Sequence, residues 1–176
     1  MSNPDLSAAR IIEQLQLVPL EFEGGFFSKT YGSLIRISQE NLPDRFNGER
    51  SISSHIYFFL THEEGCFSAM HRNLADEMYH YYLGDPVELL LLFPDGKSEV
   101  VVLGSDILNG EKVQFLVPHG VWQGSRLKPG GKFALMGTSM SPAFEWEDFE
   151  LGDRDSLSDQ YDEQKDLIAK LTRVSI

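Results

Sequence analysis

An all-β domain with a short helix near each end is the fold class that this 176-residue sequence predicts. Three observations lead there. From Phe22 onward the chain runs through short segments rich in β-branched and aromatic residues. These segments are separated by Gly, Pro, Asn and Asp, the residues that turn a backbone sharply. Apolar residues recur at helical spacing only towards the two ends. The length suits one domain with a substantial core and is too short for two ordinary ones. A single domain over 1–176 is expected, with an N-terminal helical segment (1–20), a β core (21–151) and an acidic helical tail (152–176).

Taken in order, Asn3-Pro4-Asp5-Leu6-Ser7 leading into Ala8-Ala9-Arg10-Ile11-Ile12 reads as a short helix with a cap, a first-turn proline and an apolar stripe. Such a stripe packs across one face of a sheet. Strands are predicted at 26–31, 54–61, 66–72, 78–83, 87–93, 99–104, 114–117, 120–126 and 133–139, with Pro94-Asp95-Gly96 closing a hairpin. The segment Val87-Glu88-Leu89-Leu90-Leu91-Leu92-Phe93 is apolar at nearly every position, so both of its faces should be covered. One cover is the barrel core; the other is a second sheet or a second subunit, and on this ground a homodimer is expected. The stretch 144–151 spaces aromatics as an edge strand or extended arm does. The tail 158–172 is expected as one helix capped by Ser158, with Leu167, Ile168 and Leu171 as its stripe.

The net charge of -12, with no cluster of Lys and Arg, argues against nucleic acid as a partner. No apolar run reaches the roughly 18 residues that a membrane span needs, and the start Met-Ser-Asn-Pro-Asp lacks a signal-peptide pattern. A cytoplasmic location without membrane contact is expected. The lone cysteine, Cys66, cannot form an internal disulfide and reads as a packing residue.

Alternate residues of a strand share a face, so His71 and Asn73 are expected to point the same way, with Ala69 before them if the strand is regular. Glu77, Tyr79 and Tyr81 form the matching series on the next strand. A histidine and a carboxylate facing one another inside a small barrel can bind a metal, share a proton or grip a polar ligand. His80 has the opposite parity to Glu77 and reaches the same cavity only through a bulge. His55 reads as a half-buried strand residue, and His62 as part of a polar turn.

The run 65–84 resembles the first motif of the cupin superfamily, Gly-x5-His-x-His-x3-Glu-x6-Gly, with Asn73 in place of the second histidine. Gly110 and Pro118-His119-Gly120-Val121-Trp122-Gln123 resemble the second motif, with an interval two residues longer and Gln123 at the final histidine position. Together with Glu23-Gly24-Gly25-Phe26-Phe27, Ile56-Tyr57-Phe58-Phe59-Leu60 and Ser141-Pro142-Ala143-Phe144-Glu145, these segments resemble the DUF985 family, also called cupin_5, from about Ile11 to Leu151. The resemblance implies a cupin double-stranded β-helix, or jelly roll, usually dimeric and related in shape to RmlC-type sugar-nucleotide epimerases. Tyr79, His55 and Lys29 depart from the family pattern, which carries tryptophan, a small residue and arginine there.

Of the four ligand positions that the resemblance implies, His71 and Glu77 are kept, while Asn73 and Gln123 are amides. Amide oxygens bind transition metals more weakly than imidazole does, so a divalent metal on His71, Glu77 and Gln123 is not favoured, and the cofactor is left open. Three functions compete. In the first, a small-molecule-binding cupin holds a sugar derivative or small polar acid, with His71 and Glu77 as an acid–base pair of an isomerase or epimerase. Asn73, Tyr79, Gln123, His80 and Lys29 would contact the substrate. The second is a metal-dependent oxygenase or metalloisomerase, and the third a non-catalytic sensor or interaction protein that uses the acidic tail.

Overall fold

The computed structural model describes residues 6–173. Helix α1 (Ala8–Gln14) opens the fold, with the Ser7 hydroxyl accepting from the Arg10 amide at its start. The expected roles of Asn3, Pro4 and Asp5 lie outside the described residues. The strands follow as β1 (Val18–Pro19), β2 (Phe26–Gly32), β3 (Arg36–Ile37), β4 (Arg50–Ser51), β5 (Ser54–Thr61), β6 (Ser68–Asn73), β7 (Asp76–Gly84), β8 (Val87–Leu92), β9 (Ser98–Leu103), β10 (Gln114–Val117), β11 (Trp122–Leu127), β12 (Phe133–Ser141) and β13 (Phe149–Leu151). Every strand expected from the alternating pattern is present, within two residues at most ends. A jelly roll results, with one sheet in the order β1-β2-β5-β12-β7-β10 and another in the order β13-β6-β11-β8-β9. The pair β3-β4 stands apart.

The two sheets enclose the main core, where Phe58 and Leu60 of β5, Tyr79 of β7, Leu89 and Leu91 of β8 and Met136 of β12 meet. Helix α1 lies on the outer face of the six-stranded sheet, setting Ile11 against Phe59 and Leu135. The outer face of β8 is covered from the same chain. Leu90 and Leu92 pack with Met70 beneath Leu157, Tyr161, Ile168 and Leu171 of the C-terminal segment. The apolar double face of β8 therefore has its second cover without another subunit, and the sequence-based reason for expecting one loses its premise.

That C-terminal segment is two helices rather than the single expected one. α2 (Arg154–Gln160) starts at Asp153, whose carboxylate accepts from the Ser156 amide, and α3 (Lys165–Lys170) follows a 3-10 turn at Asp162–Gln164. Ser158 lies inside α2 and caps nothing. The break falls at Tyr161, where burial of the ring and donation of its hydroxyl to the Phe93 carbonyl (2.8 Å) hold a non-helical backbone. The stretch 144–151 is a 3-10 turn (Trp146–Asp148) followed by edge strand β13, which pairs with β6. Arg50, only 2% exposed, anchors that turn with two 2.7 Å hydrogen bonds to the Asp148 carboxylate. No helix among the described residues is long and apolar enough to cross a membrane.

Candidate functional site

The polar centre of the barrel is assembled from both sheets. β6 and β11 bring His71, Asn73 and Gln123 from one, with Gln123 directly opposite His71 in register. β7 brings Glu77 from the other, where it pairs with Val117 and Met140. All four side chains are buried. A single oxygen of Glu77, Oε2, accepts from Asn73 Nδ2 (3.1 Å) and Gln123 Nε2 (2.8 Å). His71 Nε2 stands 4.0 Å from that oxygen, an ion-pair contact too long for a hydrogen bond. The other ring nitrogen, Nδ1, donates to the Ala69 carbonyl at 2.8 Å, and Phe149 stacks on the ring with centroids 5.1 Å apart.

β6 is not regular. Its pairing with β11 slips between Gln123 and Ser125, so Ser68 and His71 both face inward although three residues separate them. Ser68, rather than Ala69, therefore contributes to the interior, and it donates to Glu23 Oε1 at 2.7 Å. Glu23 is a site residue that the motif reading missed. It is delivered by a tight turn over residues 20–25, closed by Leu20 N–H to the Gly25 carbonyl and Gly24 N–H to the Leu20 carbonyl. Phe22, Gly24 and Gly25 all have left-handed φ values (67°, 103° and 71°). Gly24 has no substitute, because a Cβ there would lie 2.4 Å from the Phe67 carbonyl oxygen. The available signal was an acid immediately before a Gly-Gly pair.

Electrostatically the centre is one imidazole between two carboxyls. Burial alone would push His71 down, but the charges of Glu23 and Glu77 and the Ala69 carbonyl outweigh it and raise it to about 9. Glu23 is raised above the usual carboxylate range, chiefly by burial and also by the Glu77 charge, while His71 and the Ser68 hydrogen bond pull the other way. The protons belong to the cluster rather than to single residues. A cationic His71 with one ionised and one protonated carboxyl is the net-neutral state that burial favours. Tyr79 is held neutral by burial, reinforced by both glutamates.

The cavity leading to this centre has a volume of about 160 Å³, and most of the wall surface is apolar. Glu23, Glu77, Asn73 and Lys29 line it, together with Phe144 and Trp146. His71 and Gln123 are not among its lining residues; they stand behind Glu77 and hold it. Tyr79, 1% exposed, belongs to the apolar core beside the site rather than to the cavity wall. His80 is not brought to the cavity at all: β7 runs without a bulge there, and the side chain faces the outside of the sheet. There it lies in line with Ser139 and His55, its Nε2 2.9 Å from Ser139 Oγ, which is 2.8 Å from His55 Nδ1. Cys66 takes its packing role, its sulfur accepting from the Thr61 amide at 3.2 Å.

The cupin resemblance implies a metal on positions 71, 73, 77 and 123, and the donors present do not fit one held tightly. Both amide NH2 groups are turned onto the Glu77 oxygen that a cation would need, and only one of the four positions carries an imidazole. Among the described residues no group of three His, Cys, Asp or Glu side chains is arranged to hold a metal ion.

Comparison with known proteins agrees with this architecture. The chain is 30% identical over 156 residues to protein YML079W of Saccharomyces cerevisiae, covering 84% of this chain and 76% of the yeast protein. A crystal structure of a Shewanella oneidensis protein superposes with a TM-score of 0.83 at 34% identity, covering 97% of this chain and 99% of that one. A hypothetical protein from Leishmania major matches with a TM-score of 0.84 at 27% identity, covering 96% and 100%. The sequence pattern of Cupin_5, described as cupin superfamily (DUF985), matches residues 9–152, and the chain belongs to that family.

Proposed function

We propose that this cupin binds a small molecule in its barrel and moves a proton on it, as an isomerase or epimerase does, with Glu77 as base and Glu23 as acid. The observation that carries this reading is that both carboxyls line one small cavity, beside a buried imidazole that stands 4.0 Å from Glu77 and whose charge also acts on Glu23. Glu77 has its hydrogen-bonded oxygen fixed by Asn73 and Gln123, which aims the carboxylate and limits its motion. His71 supplies a positive charge 4.0 Å from the Glu77 carboxyl. Glu23 keeps its proton to higher pH than an ordinary carboxyl and is suited to return one to the far side of a planar intermediate. His71 is therefore a positioning residue here, and the acid–base pair shifts from His71/Glu77 to Glu23/Glu77.

The test is a thermal-shift screen of sugars, sugar nucleotides and small organic acids, since a ligand that binds only the native state raises apparent stability. Hits are then incubated in deuterium oxide and analysed by mass spectrometry. Wild-type protein should catalyse C–H exchange on a bound compound, and Glu77→Gln should slow it by about 10²–10⁴-fold, the usual contribution of a positioned base. Equal exchange in both proteins would remove Glu77 from the chemistry.

A further inference from the structure

We infer that the ligand of this cavity is a compact monocarboxylic acid with an apolar body, anchored by Lys29. The inference rests on the barrel cavity being the binding site proposed above, and adds the class of molecule it takes. Size sets the first limit. A volume of about 160 Å³ is close to that of cavities known to enclose benzene, about 150 Å³. A sugar nucleotide would leave most of its atoms outside.

The walls set the second limit. Phe27, Ile56, Met140, Phe144 and Trp146 face the space, so most of the ligand meets carbon. The wall carries two hydroxyls, Thr138 and Ser54, and Ser54 already accepts from the Phe144 amide at 3.0 Å. A pyranose enclosed here would bury more hydroxyls than these walls can partner, each unpaired one at a cost of about 1–3 kcal/mol.

Charge defines the rest. Lys29 lines the cavity, and among the described residues no ion pair or hydrogen bond engages its ammonium. Its cation is available for an anionic group, and its stem can follow the apolar wall. A second anionic group on the ligand does not fit, because it would face the Glu23 and Glu77 carboxyls that line the same space.

Calorimetric titration of the full chain with benzoate, benzamide and glucose tests each limit. We expect benzoate to bind at least tenfold more tightly than its neutral amide, and glucose not to bind. Lys29→Met should erase the advantage of acid over amide while leaving the amide unchanged, which also shows that the variant is folded. Equal binding of acid and amide, an acid advantage that survives Lys29→Met, or preferential binding of glucose would each overturn the inference, as would no binding by benzoate. The proton-transfer reading fails separately, when C–H exchange on any bound compound is the same in wild type and Glu77→Gln.

Discussion

Strand β7 carries two histidine-linked networks on opposite faces, and they titrate in opposite directions. Inward, Glu77 belongs to a cluster in which His71 is raised to about 9. Outward, His80 is lowered, by burial and then by the neighbouring His55. Both imidazoles lose hydration. The difference is what faces them: two carboxyls inside, and a hydroxyl with a second imidazole outside. The outer chain has a definite polarity, because the Gln114 amide donates to His80 Nδ1 (3.2 Å), leaving the ring proton on Nε2 for Ser139 and the hydroxyl proton for His55. Burial and the second imidazole favour the neutral form of His80, whereas the inner cluster works with a charged ring.

The comparison breaks most visibly at Glu77. Glu77→Gln should bring the His71 imidazole down from about 9, followed by NMR of the ring protons across pH, because only Glu23 and the Ala69 carbonyl then oppose burial. A His71 that still titrates near 9 would mean Glu77 is not its main partner. Stability against pH is the next largest effect. His71 is protonated more readily folded than unfolded, so its contribution is complete below pH 6.5 and lost as pH rises through about 9. The amount is on the order of 3 kcal/mol by denaturant titration, and His71→Gln should flatten that slope.

His80 has the reverse sign. The folded state takes up its proton less readily than the unfolded chain, so stability falls as pH drops below 6.5. Ser139→Ala tests the outer network directly: it removes the bridging hydroxyl, should cost about 1 kcal/mol in urea unfolding, and should leave the His71 titration unmoved. The smallest effect is expected from His55→Gln, which should let His80 rise towards its ordinary value. A change at His71 in either outer variant would show that the sheet couples the two faces.

Parity along β7 already separates these networks in the sequence: Glu77 and His80 cannot share a face without a bulge, and β7 has none between them. What parity cannot reveal is the bulge in β6, since nothing in Ser68-Ala69-Met70-His71 marks where one strand gains a residue on its neighbour. That slip decides that Ser68 meets Glu23. Glu23 itself lies 45 residues before its partner Ser68, in a turn held from the far end of the chain by Arg173, which donates to the Phe22 and Glu23 carbonyls. The cover over β8 was equally out of reach, because a doubly apolar strand records that it is covered and not by what.

From the sequence follow the strands and the shared faces of His71 with Asn73 and of Glu77 with Tyr79, while the jelly roll and the place of Gln123 beside them follow from the resemblance to the cupin motifs. The first are local properties, set by alternation of side chains along each strand; the second are carried by motifs that the family shares. Only the tertiary structure decided that Glu23 joins Glu77 at the cavity, that His71 stands behind them as their counter-charge, and that, among the described residues, Lys29 is the one cation on the cavity wall. Those depend on distances between residues far apart in the chain, and electrostatic energy follows distance and burial rather than position in sequence.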